Sequence, residues 1–134
     1  MVGRRGEPTL VATVLTPIER VRVDVAAQGV YNAIHRTRVD EVVNDLRKER
    51  VGAVLVSVSR YDPTTTARMA AMVREFPRVP TFALLTDVQK STPYAVHALG
   101  QIGVHTLVDV RHPSGWASLR ARLAHEQPED LQRV

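Results

Sequence analysis

The sequence predicts an α/β domain in which helices cover both faces of a doubly wound, five-stranded parallel sheet. The run from Ala53 to Val58 is almost unbroken apolar and rich in β-branched residues, which is typical of a strand buried on both sides. Strand-like and helix-like segments also alternate along the chain in five successive pairs, and each parallel crossover needs a helix. Such crossovers are right-handed, and for a doubly wound sheet of this kind we expect the strand order 2-1-3-4-5.

The composition limits the classes of protein to which the chain can belong. The sequence has 134 residues, enough for one domain with its own core, and no cysteine that could form a disulfide or a thiolate metal site. It shows no secretory signal and no apolar run near the ~20 residues that span a bilayer, so we expect a cytoplasmic protein without a membrane partner. The net charge is +4, but the arginines are dispersed among acidic residues, which supports a nucleic-acid interface only weakly.

The amino-terminal part of the chain gives one clear strand and one ambiguous segment. We predict a flexible leader at residues 1–8 and the first strand at 9–15, which is apolar and β-branched. In the next segment, 17–28, the valines alternate as in a strand, while a second set of residues has helical spacing. The start signal Thr16-Pro17 and the alternation of strands with helices favour a helix. The residues at helical spacing are Ile18, Val21, Val25 and Gln28.

The second strand is predicted at 30–35, near an edge of the sheet, and a clear helix follows it. We expect Thr37 to cap this helix, in which acidic residues come early and basic residues late, an order that complements the helix dipole. The central strand comes next, at 51–59. The expected apolar stripe of the second helix is Val39, Val42, Val43 and Leu46.

Three further helices and two strands complete the predicted domain, which ends near residue 126 and is followed by a polar tail or linker at 127–134. Asp62-Pro63 opens the third helix, where we interpret Asp62 as the N-cap. The fourth and fifth strands are expected at 81–85 and 106–110. The residues expected to face the core are Met69, Met72, Val73 and Phe76 in the third helix, Ala95, Leu99 and Ile102 in the fourth, and Trp116, Leu119 and Leu123 in the fifth.

This pattern, with PTFALLT from Pro80 to Thr86 and ALGQIGVHTLVDV from Ala98 to Val110, resembles the receiver domains of response regulators. More closely, residues 9–125 resemble the degenerate, receiver-like amino-terminal modules of certain AraC-type transcription regulators. The resemblance implies a flavodoxin-like (βα)5 fold and a regulatory function without catalysis. It also implies that DNA is contacted only through a separate helix-turn-helix domain.

The residues that phosphorylation needs are missing from the expected positions. Receiver domains bind magnesium through carboxylates after the first strand and carry the acceptor aspartate at the end of the third, a serine or threonine after the fourth and a lysine after the fifth. Here Thr16-Pro17 replaces the acids, Ser57-Val58-Ser59 ends the third strand and Asp109 ends the fifth; only Thr86 fits the pattern. Without metal ligands, nucleophile or counter-charge, we expect no aspartyl phosphorylation and no cofactor.

Two other hypotheses remain open at this point. The chain could be a sensor that binds a polar small-molecule effector at the carboxyl ends of the strands, where ligands bind in open α/β sheets. It could also be an unrecognised enzyme, although no nucleotide-binding or hydrolase motif is present. The residues of this degenerate acceptor pocket or ligand crevice are Thr16, Ser57, Ser59, Arg60, Thr86 and Asp109.

The resemblance also implies a surface for self-association. Receiver-like modules often pair through the fourth helix, the fifth strand and the fifth helix. The patch expected there is not strongly apolar, so we expect a weak homodimer. The candidate residues of this face are Tyr94, His97, Gln101 and Arg120.

Overall fold

Five parallel strands form one sheet, described by a computed structural model that covers residues 8–48, 51–58, 61–104 and 106–125. The predicted tail and the predicted leader before Pro8 lie outside the described residues. The strands are β1 (Thr9–Thr13), β2 (Asn32–Arg36), β3 (Val51–Ser57), β4 (Thr81–Leu85) and β5 (Thr106–Asp109). Their order in the sheet is β2-β1-β3-β4-β5, which confirms the predicted fold class and strand order.

Helices alternate with these strands and cover both faces of the sheet. They are α1 (Pro17–Ala27), α2 (Val39–Lys48), α3 (Pro63–Glu75), α4 (Thr92–Gln101) and α5 (Pro113–His125). Helices α1 and α5 pack against each other over one face, while α2, α3 and α4 cover the other. None of the helices in the described ranges is long and apolar enough to cross a membrane.

The central strand β3 shows why both layers are required. Ala53 and Leu55 point into the core beneath α1 and α5, whereas Val54 and Val56 point into the core beneath α2, α3 and α4. Each of these side chains is at most 1% exposed. Because successive side chains of a strand point to opposite faces, an unbroken apolar run is stable only when both faces are covered.

The first strand starts and ends differently from the prediction. Pro8, which we had placed in the leader, is buried, and its carbonyl oxygen accepts a hydrogen bond from the backbone N–H of Asn32 at 2.8 Å. At the other end β1 stops at Thr13 because Val14 has a φ of 61°, a left-handed conformation that takes the chain out of the sheet. Leu15 then returns to the core with 7% exposure.

The ambiguous segment is a helix, as predicted, and its buried face is formed by residues other than those at the noted helical spacing. Thr16 and Glu19 form a capping box, in which each side chain accepts a hydrogen bond from the backbone N–H of the other residue. The buried face of α1 consists of Val23, Ala26 and Ala27. The apolar residues at helical spacing point to solvent instead: Ile18 is 70% exposed, Val21 62% and Val25 64%.

The start of α2 also differs from the prediction, because Glu41 rather than Thr37 satisfies the free backbone groups. The helix begins at Val39, and the Glu41 carboxylate accepts hydrogen bonds from the backbone N–H groups of Thr37 and Arg38, both at 3.0 Å. Val39, Val42 and Leu46 are buried as expected, and Val43 packs against the same cluster.

The remaining helices follow the prediction. Asp62 is the N-cap of α3, and its carboxylate accepts hydrogen bonds from the backbone N–H groups of Thr64 and Thr65. A hydrogen bond from the Thr65 hydroxyl, followed by these two backbone hydrogen bonds, lowers the pKa of Asp62. The predicted inward residues of α3, α4 and α5 belong to or pack against the two core clusters, except Ala95, which is buried with 5% exposure but belongs to neither cluster.

The first turn of α5 approaches the backbone of β5 so closely that only glycine fits at position 115. A Cβ atom added to Gly115 would lie 2.7 Å from the Cα of Val110 and would overlap the carbonyl oxygen of Asp109. Both obstacles are backbone atoms, which cannot rotate away. This contact therefore fixes the distance between α5 and the carboxyl end of β5.

We expect Gly115→Ala to lower the free energy of unfolding by about 3 kcal/mol or more, because the methyl group would force α5 away from β5. The matched control is Gly100→Ala in α4, where no atom lies within 4 Å of the added methyl group. This second change should raise the free energy of unfolding by about 0.5–1 kcal/mol, since alanine is the better helix former. Urea unfolding of the three proteins measures both effects, and equal stability of the two variants would contradict the close contact.

Candidate functional site

Two of the predicted site residues meet at the carboxyl edge of the sheet. Ser57 is the last residue of β3, and Thr86 directly follows β4. Their side-chain oxygens lie 3.1 Å apart in a partly buried hydrogen bond. The pairing of the two strands brings them together, because the backbone N–H of Val58 still donates to the carbonyl of Leu84 beyond the end of β3. The tip of the central strand thus presents a pair of neutral hydroxyl groups.

Thr16 is used to begin a helix. Its hydroxyl oxygen accepts a hydrogen bond from the backbone N–H of Glu19 at 3.3 Å. The carboxylate of Glu19 in turn accepts one from the backbone N–H of Thr16 at 2.9 Å. The first acidic side chain after the end of β1, that of Glu19, is therefore held against the helix backbone. This arrangement explains why Thr16-Pro17 is a strong helix start.

Asp109 forms an ion pair with a residue that the sequence reasoning did not select. Its carboxylate accepts hydrogen bonds from the side-chain Nε of Arg111 at 2.9 Å, from Nη2 at 2.7 Å and from the backbone N–H of the same residue at 3.0 Å. The side-chain hydrogen bonds of Arg111, followed by the backbone hydrogen bond, lower the pKa of Asp109 to about 2. At neutral pH the end of β5 therefore carries two opposite charges that compensate each other.

The two other predicted residues of the site, Ser59 and Arg60, lie outside the described residues.

Thr86 borders a crevice of about 250 Å³, which is also lined by residues that the sequence reasoning missed. These residues come from the beginnings of α1 and α5 and from the segment after β5, all at the carboxyl edge of the sheet. They are Ile18, Glu19, Arg22, Val110, Arg111 and Trp116.

The four residues of the predicted self-association face do not lie on one surface. Tyr94, His97 and Gln101 are exposed on α4, and Tyr94 is 70% exposed. Arg120 lies elsewhere: its Nη1 donates hydrogen bonds to the carbonyl oxygens of Ala26 at 3.1 Å and Gln28 at 2.6 Å.

Arg120, which we expected on the face formed by α4, β5 and α5, is thus held against the end of α1. On α5 its position is turned toward α1, where a cation compensates the free carbonyl groups at the end of a helix. Helical periodicity places Arg122 on the opposite flank of α5. A face shared by α4 and α5 would contain Arg122 in place of Arg120.

Metal ligands are the remaining requirement of a phosphoryl-transfer site. Within the described ranges, no group of three or more histidine, aspartate or glutamate side chains is placed to hold a metal ion. Two carboxylates at this edge of the sheet, those of Glu19 and Asp109, accept hydrogen bonds from backbone or arginine groups.

Comparison with known proteins relates this chain to others through its fold. No protein-family model and no curated protein matches the sequence. A candidate pilus assembly-related protein from Burkholderia pseudomallei is similar with a TM-score of 0.70 and 13% identity, over 93% of this chain and 95% of that chain. The chemotaxis protein CheY4 of Vibrio cholerae gives a TM-score of 0.68 at 15% identity, over 87% and 98% of the two chains.

A third similar structure is the isolated receiver domain of RcsB from Salmonella enterica serovar Typhimurium. It gives a TM-score of 0.68 at 14% identity, over 95% of this chain and 97% of that chain. At such identities the similarity establishes the fold, and it covers nearly the whole of both chains. The chain therefore has the receiver fold.

The ion pair at the end of β5 can be tested by measuring the pKa of Asp109. We expect the carboxyl group of Asp109 to titrate with a pKa of about 2. In an Arg111→Gln variant this pKa should rise toward the usual value of 3.8, because the charged hydrogen bonds are lost. Since folding depresses this pKa, the stabilising contribution of the pair is complete above pH 3.8 and is lost as the pH falls through about 2.

A pH titration followed by NMR of the side-chain carboxyl carbons measures these values directly. Arg74→Gln, on α3, is the control and should leave the titration of Asp109 unchanged. An Asp109 pKa near 3.8 in the unmodified protein would show that the ion pair does not form in solution.

Proposed function

We propose that this domain is a non-catalytic regulatory module of a bacterial transcription regulator, with the receiver fold but without the phosphorylation chemistry of receivers. The observation that carries the proposal is the hydrogen bond between Ser57 and Thr86. It occupies the tip of the central strand, the position at which a phosphoryl acceptor needs a carboxylate.

The surroundings of Ser57 do not supply what a hydroxyl nucleophile needs. A serine becomes reactive when a neighbouring base removes its proton, but the described partner of Ser57 is another hydroxyl, that of Thr86. The arginine at the end of β5 is engaged by Asp109, so its charge is compensated before any phosphoryl group arrives. These features favour a protein that acts through contacts instead of group transfer.

Such a module would act through two kinds of contact. One is self-association through the exposed side of α4, which carries Tyr94, His97 and Gln101. Tyrosine is enriched at protein interfaces because it buries a large rigid surface and keeps a polar end. The other is coupling to a helix-turn-helix domain of the AraC type, through which the regulator would contact DNA.

The crevice beside Thr86 favours a second candidate function, the sensing of a small molecule. Its lining combines the aromatic ring of Trp116 with the guanidinium of Arg22 and the hydroxyl-bearing Thr86. This mainly polar lining, with one aromatic ring and two arginines, suits a small polar or anionic metabolite. An effector bound there would contact the beginnings of α1 and α5 together.

We expect no covalent phosphoryl adduct after treatment with acetyl phosphate and magnesium, because the strand tip provides hydroxyls without an activating base or acceptor carboxylate. Intact-mass spectrometry of the treated protein checks this expectation. A receiver domain with the complete acceptor site serves as the positive control for the reagent. A stoichiometric adduct that is stable in acid and labile in base would refute the proposal.

Sedimentation velocity tests the proposed self-association. We expect a concentration-dependent equilibrium between monomer and dimer, and Tyr94→Glu should shift it to monomer because the interface would bury an unpaired charge. Ile18→Glu is the matched control, since Ile18 is equally exposed, at 70%, but lies on α1 in the other layer. A strict monomer, or a dimer that responds to Ile18→Glu instead, would place the contact elsewhere or rule it out.

A further inference from the structure

The seam between α1 and α5 holds an apolar groove that the proposed function does not use. The groove has a volume of about 370 Å³, within the range of cavities that hold small molecules, and its walls are mostly apolar. The residues that line it are Val21, Arg22, Val25 and Ala26 of α1 and Trp116, Ala117 and Arg120 of α5.

The apolar wall on the α1 side belongs to an outward stripe of that helix, which consists of Ile18, Val21 and Val25. These side chains are 62–70% exposed, so the fold leaves them largely in water. Val21 and Val25 line the groove, and Ile18 lines the crevice at the carboxyl edge of the sheet. Arg22 and Trp116 border both cavities, which therefore adjoin. A ligand in the groove would remove from water apolar surface that the folded chain exposes.

Contacts at both ends hold the walls of the groove in place without a ligand. At one end Gly115 lies against the backbone that ends β5, which fixes the first turn of α5 and with it Trp116. At the other end Nη1 of Arg120 donates hydrogen bonds to the carbonyl oxygens of Ala26 at 3.1 Å and Gln28 at 2.6 Å, which ties α5 to the end of α1. A groove formed in advance costs less ordering entropy when a ligand binds.

The charges at the groove determine the sign of the ligand. The Arg120 guanidinium is directed to carbonyl oxygens at the end of α1, where the helix dipole compensates a positive charge. Its hydrocarbon part is left to line the groove. Arg22 differs, because it forms no ion pair with a residue that the structure describes. Within the described ranges the groove therefore combines apolar walls with one cation that has no counter-charge.

The two acidic residues of α1 do not supply this counter-charge. The carboxylate of Glu19 accepts a hydrogen bond from the backbone N–H of Thr16 at 2.9 Å. An oxygen of Asp24 lies 2.7 Å from Nε2 of His35. Both carboxylates are held by other groups, so the charge of Arg22 is left for an anion from outside the chain.

We propose that this groove binds an amphiphilic carboxylic acid, with its carboxylate at Arg22 and its hydrocarbon chain along the apolar walls. The inference goes beyond the proposed function and does not rest on it. A carboxylate matches the planar fork of a guanidinium, and the chain covers Val21 and Val25. From Arg22 to Ala26 α1 rises roughly 6 Å, so a chain of about six to eight carbon atoms spans the groove.

Other occupants satisfy only part of these requirements. A small inorganic anion would neutralise Arg22 but would leave the apolar walls in water. A neutral hydrocarbon would cover the walls but would leave Arg22 without a counter-charge. A second copy of this chain would bring Arg22 of one subunit toward the same residue of the other, because a two-fold dimer joins identical patches. A ligand with an apolar chain and one negative group satisfies both the charge and the walls.

Octanoate is the probe for this proposal, and three related compounds separate the effects of charge and chain. Butyrate keeps the carboxylate but shortens the chain, octanol keeps the chain without the charge, and octylammonium reverses the charge. Binding is followed by the fluorescence of Trp116, the single tryptophan of the sequence, and by the amide chemical shifts of α1 and α5. We expect saturable binding of octanoate with a dissociation constant below about 1 mM, and at least tenfold weaker binding of each related compound.

Variants of exposed residues locate the site without disturbing the core. Arg22→Gln should weaken octanoate binding about tenfold and leave octanol binding unchanged, because it removes the charge alone. Val25→Ser should weaken the binding of both compounds about threefold through lost apolar contact. Arg74→Gln, on α3 in the other layer, is the charge-matched control and should change neither affinity. Thr86→Val, in the adjoining crevice, should also leave octanoate binding unchanged, which separates this groove from the effector site considered above.

Any of four results would overturn the proposal. They are the absence of saturable octanoate binding, equal affinities for octanoate and octanol, chemical-shift changes confined to helices other than α1 and α5, and loss of binding in Thr86→Val but not in Val25→Ser. Tight binding of the chain to vesicles of phosphatidylcholine and phosphatidylglycerol that Val25→Ser abolishes would identify a lipid surface as the occupant and would also overturn it. Circular dichroism of each variant separates loss of binding from loss of fold.

Discussion

The structure depends on one constraint, which is that both faces of the parallel sheet must be covered. In β3 the side chains alternate between two cores, and each of Ala53, Val54, Leu55 and Val56 is at most 1% exposed. Water on either face would leave half of the strand's apolar surface unburied. The helices supply this cover, and their small residues allow a close approach. Gly115 of α5 lies directly against the backbone that ends β5. In α1 the small buried residues are Ala26 and Ala27.

The same topology brings the carboxyl ends of the parallel strands to one edge and so decides what chemistry is possible there. At this edge β3 and β4 contribute hydroxyl groups that bond to each other, and β5 contributes an aspartate bonded to the arginine two residues later. Each of these four polar groups finds its partner within the described residues. They therefore exert little electrostatic demand for a metal ion or a phosphoryl group, in agreement with the non-catalytic module that we propose.

The sequence predicted most of the fold, because apolar runs and helix start signals are local. It also placed Ser57 and Thr86 among the six residues expected at the carboxyl edge of the sheet, where the structure joins these two by a hydrogen bond. The rotation of a helix about its own axis was harder to predict. In α1 the larger apolar residues point outward because small residues make the close contact with the sheet, and so Arg22 and Arg120 were not recognised as neighbours. Only their tertiary arrangement reveals that relation.

The outward stripe of α1 is difficult to explain by stability alone. Exposed valine and isoleucine bury little surface when the chain folds, so they add little to the hydrophobic stabilisation. As β-branched residues in a helix, each costs about 0.5 kcal/mol relative to alanine. Ile18, Val21 and Val25 thus oppose the local preference of the helix and contribute little to the core, unlike Val23, which is also β-branched but fully buried. These three positions of one face therefore carry residues that the fold neither needs nor favours.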